Sequence, residues 1–334
     1  MDLWNALWFW PATKAGELPS RQQWFEVLGE VLGATPRQKR PAKGSAADVA
    51  FDSVVGWQTI GVVEDFDRLI SGAKDLSQVA AEHQWVATAC QIARTQGFFH
   101  WELDFGHVLA HGGFDLQVGN PPWVRPRLDV DALCAEYDPW FQLAHKPTQA
   151  QKRARRELLF ARPGIRDAVV AGLTETAATA ETLGDRARFP HLSGQQADLY
   201  RGFMERVWKN VAPQGAAGLI HPVSHLTESK AAPLRRGAYR RLRRLWHFVN
   251  ELKLFDIDHH VAYGVNVYDD SRAQPRFTMA AQLYHPRTAA DSLRHDGTGP
   301  LPGFKDDNGS WDLRPHSGRI VDVDSQVLGS RAPR

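Results

Sequence analysis

Short strand candidates alternate with helical segments through the middle of this 334-residue chain, and this alternation restricts the fold more than any other feature. The clearest helical pattern runs over 195–212, where Leu199, Phe203 and Val207 recur every four residues. Alternation of this kind predicts an α/β sheet covered by helices, with ligands bound beyond the carboxyl ends of its strands. The strand candidates are 98–103, 113–119, 217–221, 245–252, 261–268 and 276–284.

Composition and charge exclude several classes of protein. Apolar residues make up 43% of the chain, and 40 Lys and Arg against 38 Asp and Glu leave a net charge of +2. This balance excludes a uniformly basic nucleic-acid coat, although local basic patches remain open. The two cysteines, Cys90 and Cys134, cannot build a disulfide framework, so we expect a cytoplasmic protein. The apolar start of the chain is too short to span a bilayer, and no membrane association is expected.

One short motif carries the chemistry. The strand candidate 113–119 is followed directly by Asn120-Pro121-Pro122-Trp123. Two consecutive prolines end the strand because they have no N–H to donate, and their rings fix φ. The carbonyls of this segment are therefore held stiffly, Asn120 adds a side-chain acceptor beside them, and Trp123 adds a flat apolar face.

Such a segment suits an exocyclic amino group. The Asn120 amide oxygen and the Pro121 carbonyl could accept the two amino hydrogens of adenine and tilt the nitrogen lone pair out of the ring. A stacked aromatic ring would hold a base that has left the duplex. The alternative is a rigid loop that closes a strand and buries a tryptophan.

Asn120–Trp123 resembles motif IV of the amino-group DNA methyltransferases, specifically the adenine-N6 branch. The resemblance implies a catalytic role for Asn120, Pro121, Pro122 and Trp123, with S-adenosylmethionine as cofactor and DNA as partner. It also implies a partial Rossmann-like class I methyltransferase sheet with helical additions. The larger proteins that the chain resembles are long type IIG restriction–modification or phage-defence methylases.

Weaker matches accompany the motif. Asp104 and Phe105 resemble motif III, whose acidic residue contacts the cofactor adenine, and the resemblance places Tyr200 at the cofactor pocket. Tyr263 is the candidate for the aromatic residue that packs on the extruded base.

A class I methyltransferase also needs a glycine-rich loop after its first strand, and this chain departs from that pattern. The stretches around Gly56 and Gly61 lack the paired glycines that let backbone approach the cofactor. We therefore expect a fragment that is inactive alone, with an upstream half-protein supplying the cofactor loop.

Three regions are expected. Residues 1–97 form a helical segment that packs on upstream sequence, 98–284 the catalytic-loop half of the methyltransferase domain, and 285–334 a poorly structured connector. The predicted function is site-specific adenine-N6 methylation of DNA in a restriction–modification or phage-defence system. The alternative is a non-catalytic DNA-binding or assembly subunit that completes a partner chain.

A basic run lies on the helix expected from about Ser229 to Leu242 and just beyond it. It is either a solvated helix face or a set of phosphate contacts with DNA. Its arginines are Arg235, Arg236, Arg240, Arg241, Arg243 and Arg244.

Two further patterns favour ordinary surface residues. His107 and His111 have a spacing that binds zinc on a helix, but Gly106 and the glycines after His111 argue against a stable helix, so no metal is expected. Glu228 and Lys230 match a nuclease Glu-x-Lys pair, yet that pair belongs on a strand and here opens a helix.

Overall fold

A computed structural model of the chain describes residues 1–33 and 72–330. The stretches around Gly56 and Gly61, which the sequence analysis compared with a cofactor loop, lie outside the described residues. The described helices are α1 Asp2–Ala6, α2 Arg21–Leu32, α3 Leu76–Glu82, α4 Gln84–Gln96, α5 Trp101–Asp104, α6 Gly106–Ala110, α7 Val130–Ala135, α8 Trp140–Leu143, α9 Gln149–Phe160, α10 Ile165–Gly184, α11 Leu199–Asn210, α12 Ala232–Tyr239, α13 Pro286–Ser292 and α14 Ser325–Ser330.

Six strands form one mixed sheet in the order β1-β2-β4-β3-β5-β6. The β1–β2 and β3–β5 pairs are parallel, whereas β4 runs antiparallel to both of its neighbours and β6 antiparallel to β5. The expected α/β class is therefore confirmed as a mixed sheet with helices. The strands are β1 Phe114–Gly119, β2 Val211–Pro222, β3 Leu242–Val249, β4 Ala262–Tyr268, β5 Arg276–Leu283 and β6 Val321–Asp324.

The chain divides into two compact units. Unit 1 comprises 1–99 and 130–175, and unit 2 comprises 100–129 and 176–334. The segment 130–175, which the sequence analysis placed within the catalytic-loop region, thus groups with the N-terminal helices.

Unit 1 is helical and has two apolar clusters. The first joins α1, α2, α3 and α4 through buried Ala6, Val27, Val79 and Trp85. The second lies among α7, α8, α9 and α10 around Cys134. A capping box at Ser20 begins α2, where the Ser20 and Gln23 side chains each accept from the other's backbone N–H.

Unit 2 contains the whole sheet, with an apolar cluster on each face. Helices α11 and α12 cover one face, and their contribution includes Tyr200, Met204 and Leu234. Within α11, Tyr200 and Met204 are fully buried, whereas Phe203 is 44% exposed. The other face has a smaller cluster around Phe248 and Tyr263, to which α13 contributes Ala289.

The structure corrects the strand expected at 98–103. Gly97 ends α4 in the left-handed conformation, and α5 begins at Trp101 instead. The Trp101 and Phe105 rings stack with centroids 5.4 Å apart. On a helix, aromatic side chains four residues apart lie on the same face and can contact each other. A run rich in aromatic residues is therefore compatible with a helix as well as with a strand.

Two further expectations change. The helix expected to reach Leu242 ends at Tyr239, and β3 begins at Leu242 rather than Leu245. The region 285–334, expected to be a poorly structured connector, contains α13, β6 and α14, and β6 pairs with β5 from Arg276 to Met279. In 1–33 and 72–330, no helix is both long and apolar enough to cross a membrane.

Candidate functional site

The Asn120–Trp123 segment leaves the sheet at the carboxyl end of β1. Gly119 is in register with Leu219 of parallel β2, so the two strands deliver their carboxyl ends to the same edge. Asn120 is exposed and Pro121 is buried. The Asn120 side chain is therefore accessible at the edge of the sheet where ligands bind in α/β folds.

Trp123 is fixed against the end of the sheet. Its indole Nε1–H donates to the Ile220 carbonyl at 3.2 Å. Its ring contacts Phe255 and Tyr263, with centroids 5.4 Å and 5.8 Å away. These contacts hold the half-buried ring in one position without covering it completely.

The position of Tyr263 changes its expected role. Tyr263 is 3% exposed, stacks on Phe248 and contacts Trp123 directly. Aromatic pairs in direct contact have centroids about 4.5–7 Å apart, so the 5.8 Å between Tyr263 and Trp123 leaves no room for a base between them. Tyr263 supports Trp123 from behind in this structure.

A cleft of about 710 Å³ opens beside this loop, within unit 2. It lies over the ends of β2 and β3 and the start of β4, and Trp123 forms part of its wall. The cleft is lined by Trp123, Val124, Arg125, Arg127, Asp198, Pro222, Val223, Ser224, Thr227, His247, Val261 and Ala262.

Charged side chains form a closed network at the cleft. Arg125 donates to Asp198 Oδ2 at 2.8 Å and to Glu228 Oε1 at 2.9 Å. Glu228 Oε2 in turn accepts from Arg201, which is 1% exposed. Two positive and two negative charges are thus paired, which lowers the cost of burying Asp198 and Arg201.

Burial shifts the pKa values of two titratable side chains in the cleft wall. Desolvation raises the pKa of Asp198, and the Arg125 guanidinium opposes that rise. Asp198 Oδ1 makes no hydrogen bond of good geometry within the described residues. Burial lowers the pKa of His247, which keeps the imidazole neutral at neutral pH.

The backbone also ties this loop to α11. The Leu199 N–H donates to the Val124 carbonyl at 3.0 Å. The first turn of α11, the loop after Trp123 and the segment after β2 therefore meet at the cleft. Tyr200 links the first turn of α11 to the segment after β2, because its hydroxyl lies 3.0 Å from Ser224 Oγ.

The structure commits two of the residues expected at the cofactor to packing within the chain. Tyr200 is completely buried, and its hydroxyl already contacts Ser224 and Arg201. Phe105 packs between Trp101 and Phe114. Asp104 is exposed on α5, where its carboxylate accepts from the His100 N–H at 3.2 Å. Tyr200 therefore presents no surface to a cofactor.

The six arginines do not share one helix face, contrary to the sequence analysis. Arg235 and Arg236 lie on α12, Arg240 and Arg241 follow its end, and Arg243 and Arg244 lie on β3. The helix ends early because the chain enters β3 at Leu242, so the last two arginines project from a strand.

Several of these arginines have partners within the chain. Arg235 donates to the carbonyls of His225 and Glu228, and Arg243 donates to Asp269 Oδ2 at 2.6 Å. Arg241 lies 4.9 Å from the Trp208 ring centroid, and Arg240 donates to the Ala273 carbonyl. Structural contacts therefore account for much of the charge run.

Two side-chain groups in the described residues have the donor types of a metal site. Lys74 Nζ lies 3.4 Å from Glu30 and 2.6 Å from Glu82, so an ammonium group already neutralises the Glu30–Glu82–His83 group. The other group, Asp258 to His260, lies in a loop after β3. His111 Nδ1 contacts the His107 carbonyl at 2.6 Å, as in an ordinary local turn.

Sequence reasoning missed most of the cleft wall. Arg125 lies two residues after Trp123 and Asp198 lies two residues before Tyr200, yet the sequence motifs assign a role to neither. Glu228 was weighed only as part of a nuclease pair. The position of Arg125 close to the Asn120–Trp123 motif is a signal in the sequence that could have indicated a role at the site. The pairing of Arg125 with Asp198 and Glu228 has no such signal, because these residues are distant in sequence.

No protein-family profile and no curated protein matches the chain. Among solved structures it is similar to the ATP-dependent type ISP restriction–modification enzyme LlaBIII bound to DNA, with 11% identity and a TM-score of 0.27 over 59% of this chain and 11% of that chain. It is similar to a nuclease-deletion mutant of the type ISP enzyme LlaGI in complex with a DNA substrate mimic, with 12% identity and a TM-score of 0.29, covering 68% and 16%.

A third similar structure is a modification subunit of a putative type I restriction enzyme from Vibrio vulnificus YJ016. It shows 10% identity and a TM-score of 0.27, with 94% of this chain and 88% of that chain covered. The chain thus spans 11% and 16% of the length of the two type ISP proteins.

Proposed function

We propose that this chain carries the catalytic loop of an S-adenosylmethionine-dependent DNA adenine-N6 methyltransferase from a restriction–modification or phage-defence system. The observation that supports this most directly is the placement of Asn120. It is exposed at the carboxyl end of β1, three residues before an aromatic ring that lines a large cleft. A loop that serves only to end the strand would not need an exposed asparagine beside a cleft.

The proposed chemistry uses the chain's own acceptors. The Asn120 amide oxygen and the Pro121 carbonyl accept the two hydrogens of the adenine amino group. Their geometry directs the nitrogen lone pair away from the ring, and Pro122 keeps the preceding carbonyl in place. Trp123 offers one ring face to the extruded base while Tyr263 supports the other side.

The cofactor site belongs elsewhere in this proposal. Tyr200 is completely buried and Phe105 packs between two aromatic rings, so we propose that a partner half-protein supplies the glycine-rich loop. The exposed edge of the sheet supports such pairing. Leu116 and Val118 of β1 are 64% and 79% exposed, and parallel strands are normally covered on both faces.

Replacement of Asn120 tests the activity. In the full-length protein or the reconstituted complex, Asn120→Ala should abolish transfer of a labelled methyl group to DNA because one acceptor of the amino group is lost. Asn308→Ala, at an exposed asparagine remote in sequence, is the matched control and should leave transfer unchanged. Full activity of Asn120→Ala would disprove the assignment.

A second candidate function is a non-catalytic DNA-binding or assembly subunit. The full burial of Tyr200 favours it, because this side chain is committed to the core. Calorimetry with S-adenosylmethionine should detect weak binding or none by the isolated chain under either function. A complex that binds DNA but transfers no methyl group would select the second.

A further inference from the structure

Among the described residues that line the cleft, Arg127 is the one charged side chain without a partner. Arg125 and Arg201 are matched by Asp198 and Glu228, which share three hydrogen bonds with them. Arg127 is exposed and makes no ion pair or hydrogen bond within the described ranges. Within these ranges, the paired network therefore leaves an uncompensated positive charge at the cleft, on Arg127.

The backbone that carries Arg127 is held in place on both sides of Arg125. The Val124 carbonyl accepts from Leu199, the Arg125 side chain bridges two carboxylates, and Pro126 restricts φ directly before Arg127. A guanidinium on a fixed backbone loses less freedom when it binds an anion than one on a mobile loop.

We infer that Arg127 binds a backbone phosphate of the nucleic-acid strand whose adenine enters the cleft. This inference rests on the proposed function and names the contact that would hold the nucleotide there. The geometry favours a phosphate next to the base, because Arg127 is four residues from Trp123 and lines the same cleft. Guanidinium groups bind phosphate oxygens through two parallel hydrogen bonds.

The sheet topology separates this contact from Arg276, the first residue of β5. Leu283 of β5 is in register with Phe248 of β3, next to the cleft residue His247, and Arg276 lies seven residues before Leu283. Seven residues of strand span roughly 20 Å, so Arg276 lies toward the opposite end of the sheet. Arg276 is exposed and has no ion pair among the described residues, which makes it a matched control.

Binding of a short fluorescent oligodeoxyadenylate to the full chain tests the inference over a range of salt concentrations. Arg127→Ala should weaken binding roughly three- to tenfold and reduce the slope of log affinity against log salt by about 0.7, the loss of one phosphate contact. Arg127→Lys should keep the slope because it keeps the charge. Arg276→Ala should change neither quantity.

The same oligonucleotide with one neutral methylphosphonate at each position in turn identifies the contact. When the neutral methylphosphonate replaces the contacted phosphate, wild type and Arg127→Ala should bind the oligonucleotide equally well. Equal losses for Arg127→Ala and Arg276→Ala, an unchanged salt slope for Arg127→Ala, or no binding by the wild type would each overturn the inference. Arg127→Ala should unfold in urea at the same midpoint as wild type. This measurement excludes a folding defect as the cause of weaker binding.

Failure of the proposed function gives a different pattern. If Asn120→Ala retains full methyl transfer but Arg127→Ala still reduces the salt slope, the phosphate contact stands and the methyltransferase assignment fails. If methyl transfer depends on Asn120 but the salt slope is independent of Arg127, only the phosphate contact is wrong.

Discussion

Arg125 Nε lies 2.8 Å from Asp198 Oδ2, which joins the loop after Trp123 to the residue that precedes α11. The same guanidinium reaches Glu228 beyond β2. Three segments distant in sequence are thereby held at one edge of the sheet. The shape of the cleft consequently depends on charge pairing as well as on apolar packing.

Glu228→Gln should destabilise the protein by about 2–3 kcal/mol, because Arg201 is almost completely buried and would lose its carboxylate. The partial exposure of Glu228, 34% of its side chain, keeps this estimate below that for a fully buried pair. Urea unfolding at neutral pH measures the change.

Two variants complete this test. Lys230→Ala, next to the network on the surface, should shift the unfolding free energy by no more than about 0.5 kcal/mol. Arg201→Met combined with Glu228→Met should be more stable than Glu228→Gln, because no buried charge is left without a partner. A Glu228→Gln protein as stable as wild type would show that the network contributes nothing.

The protein should lose stability as pH falls from about 6.5 toward about 4. His221 is fully buried, and burial lowers its pKa to about 4. In the unfolded chain the ring takes up its proton near pH 6.5, so between these values the unfolded state binds more protons and is favoured. The contribution of His221 is complete above pH 6.5 and falls by roughly 3 kcal/mol over this range.

Urea unfolding of His221→Gln across this pH range measures the effect. Relative to wild type, the slope of unfolding free energy against pH should decrease by an amount that corresponds to the uptake of up to one proton on unfolding. Burial also lowers the pKa of His225, so some dependence should remain in the variant. An identical slope in wild type and variant would mean that His221 is protonated in the folded protein.

Much of the sheet could be predicted from sequence because its signals are local. The predicted strands at 113–119, 261–268 and 276–284 match β1, β4 and β5 closely. Alternation of side chains and turn residues specifies such elements within a few residues. The order of the strands requires pairing between distant segments, which no local pattern contains.

The missed features have physical reasons too. β6, Val321–Asp324, is only four residues long and lies in a polar region, so its stability comes from pairing with β5. Arg243 and Arg244 follow a helix so closely that charge alone could not distinguish strand from helix. At the site, the Asn120–Trp123 loop was predicted from its residues, but the ion network around Arg201 depends on the tertiary fold.

Tyr263→Phe should leave stability within about 0.5 kcal/mol of wild type, because the ring alone contacts Phe248, Phe255 and Trp123. Tyr263→Ala should cost about 3–5 kcal/mol through the cavity that it leaves. Urea unfolding and oligodeoxyadenylate affinity, measured on the same variants, distinguish a role of Tyr263 in supporting Trp123 from a role in stacking on the base. An affinity loss in Tyr263→Phe without a loss of stability would contradict a purely supporting role.

Gly113 sets the entry into β1, and its replacement tests how tightly the loop-bearing strand is held. Gly113 has φ +117°, and a Cβ there would lie 2.4 Å from the Asn210 carbonyl oxygen and 2.9 Å from the Ala212 nitrogen. Gly113→Ala must therefore move β1 away from the start of β2 or distort both, and we expect a loss of at least about 3 kcal/mol.

Gly97→Ala provides the control because Gly97 also has a positive φ, +59°, but nothing lies within 4 Å of its added Cβ. Only backbone strain of about 1–2 kcal/mol should remain there. Urea unfolding of both variants compares strain alone with strain plus backbone collision. Equal losses would mean that the close approach of Gly113 to Asn210 does not constrain β1.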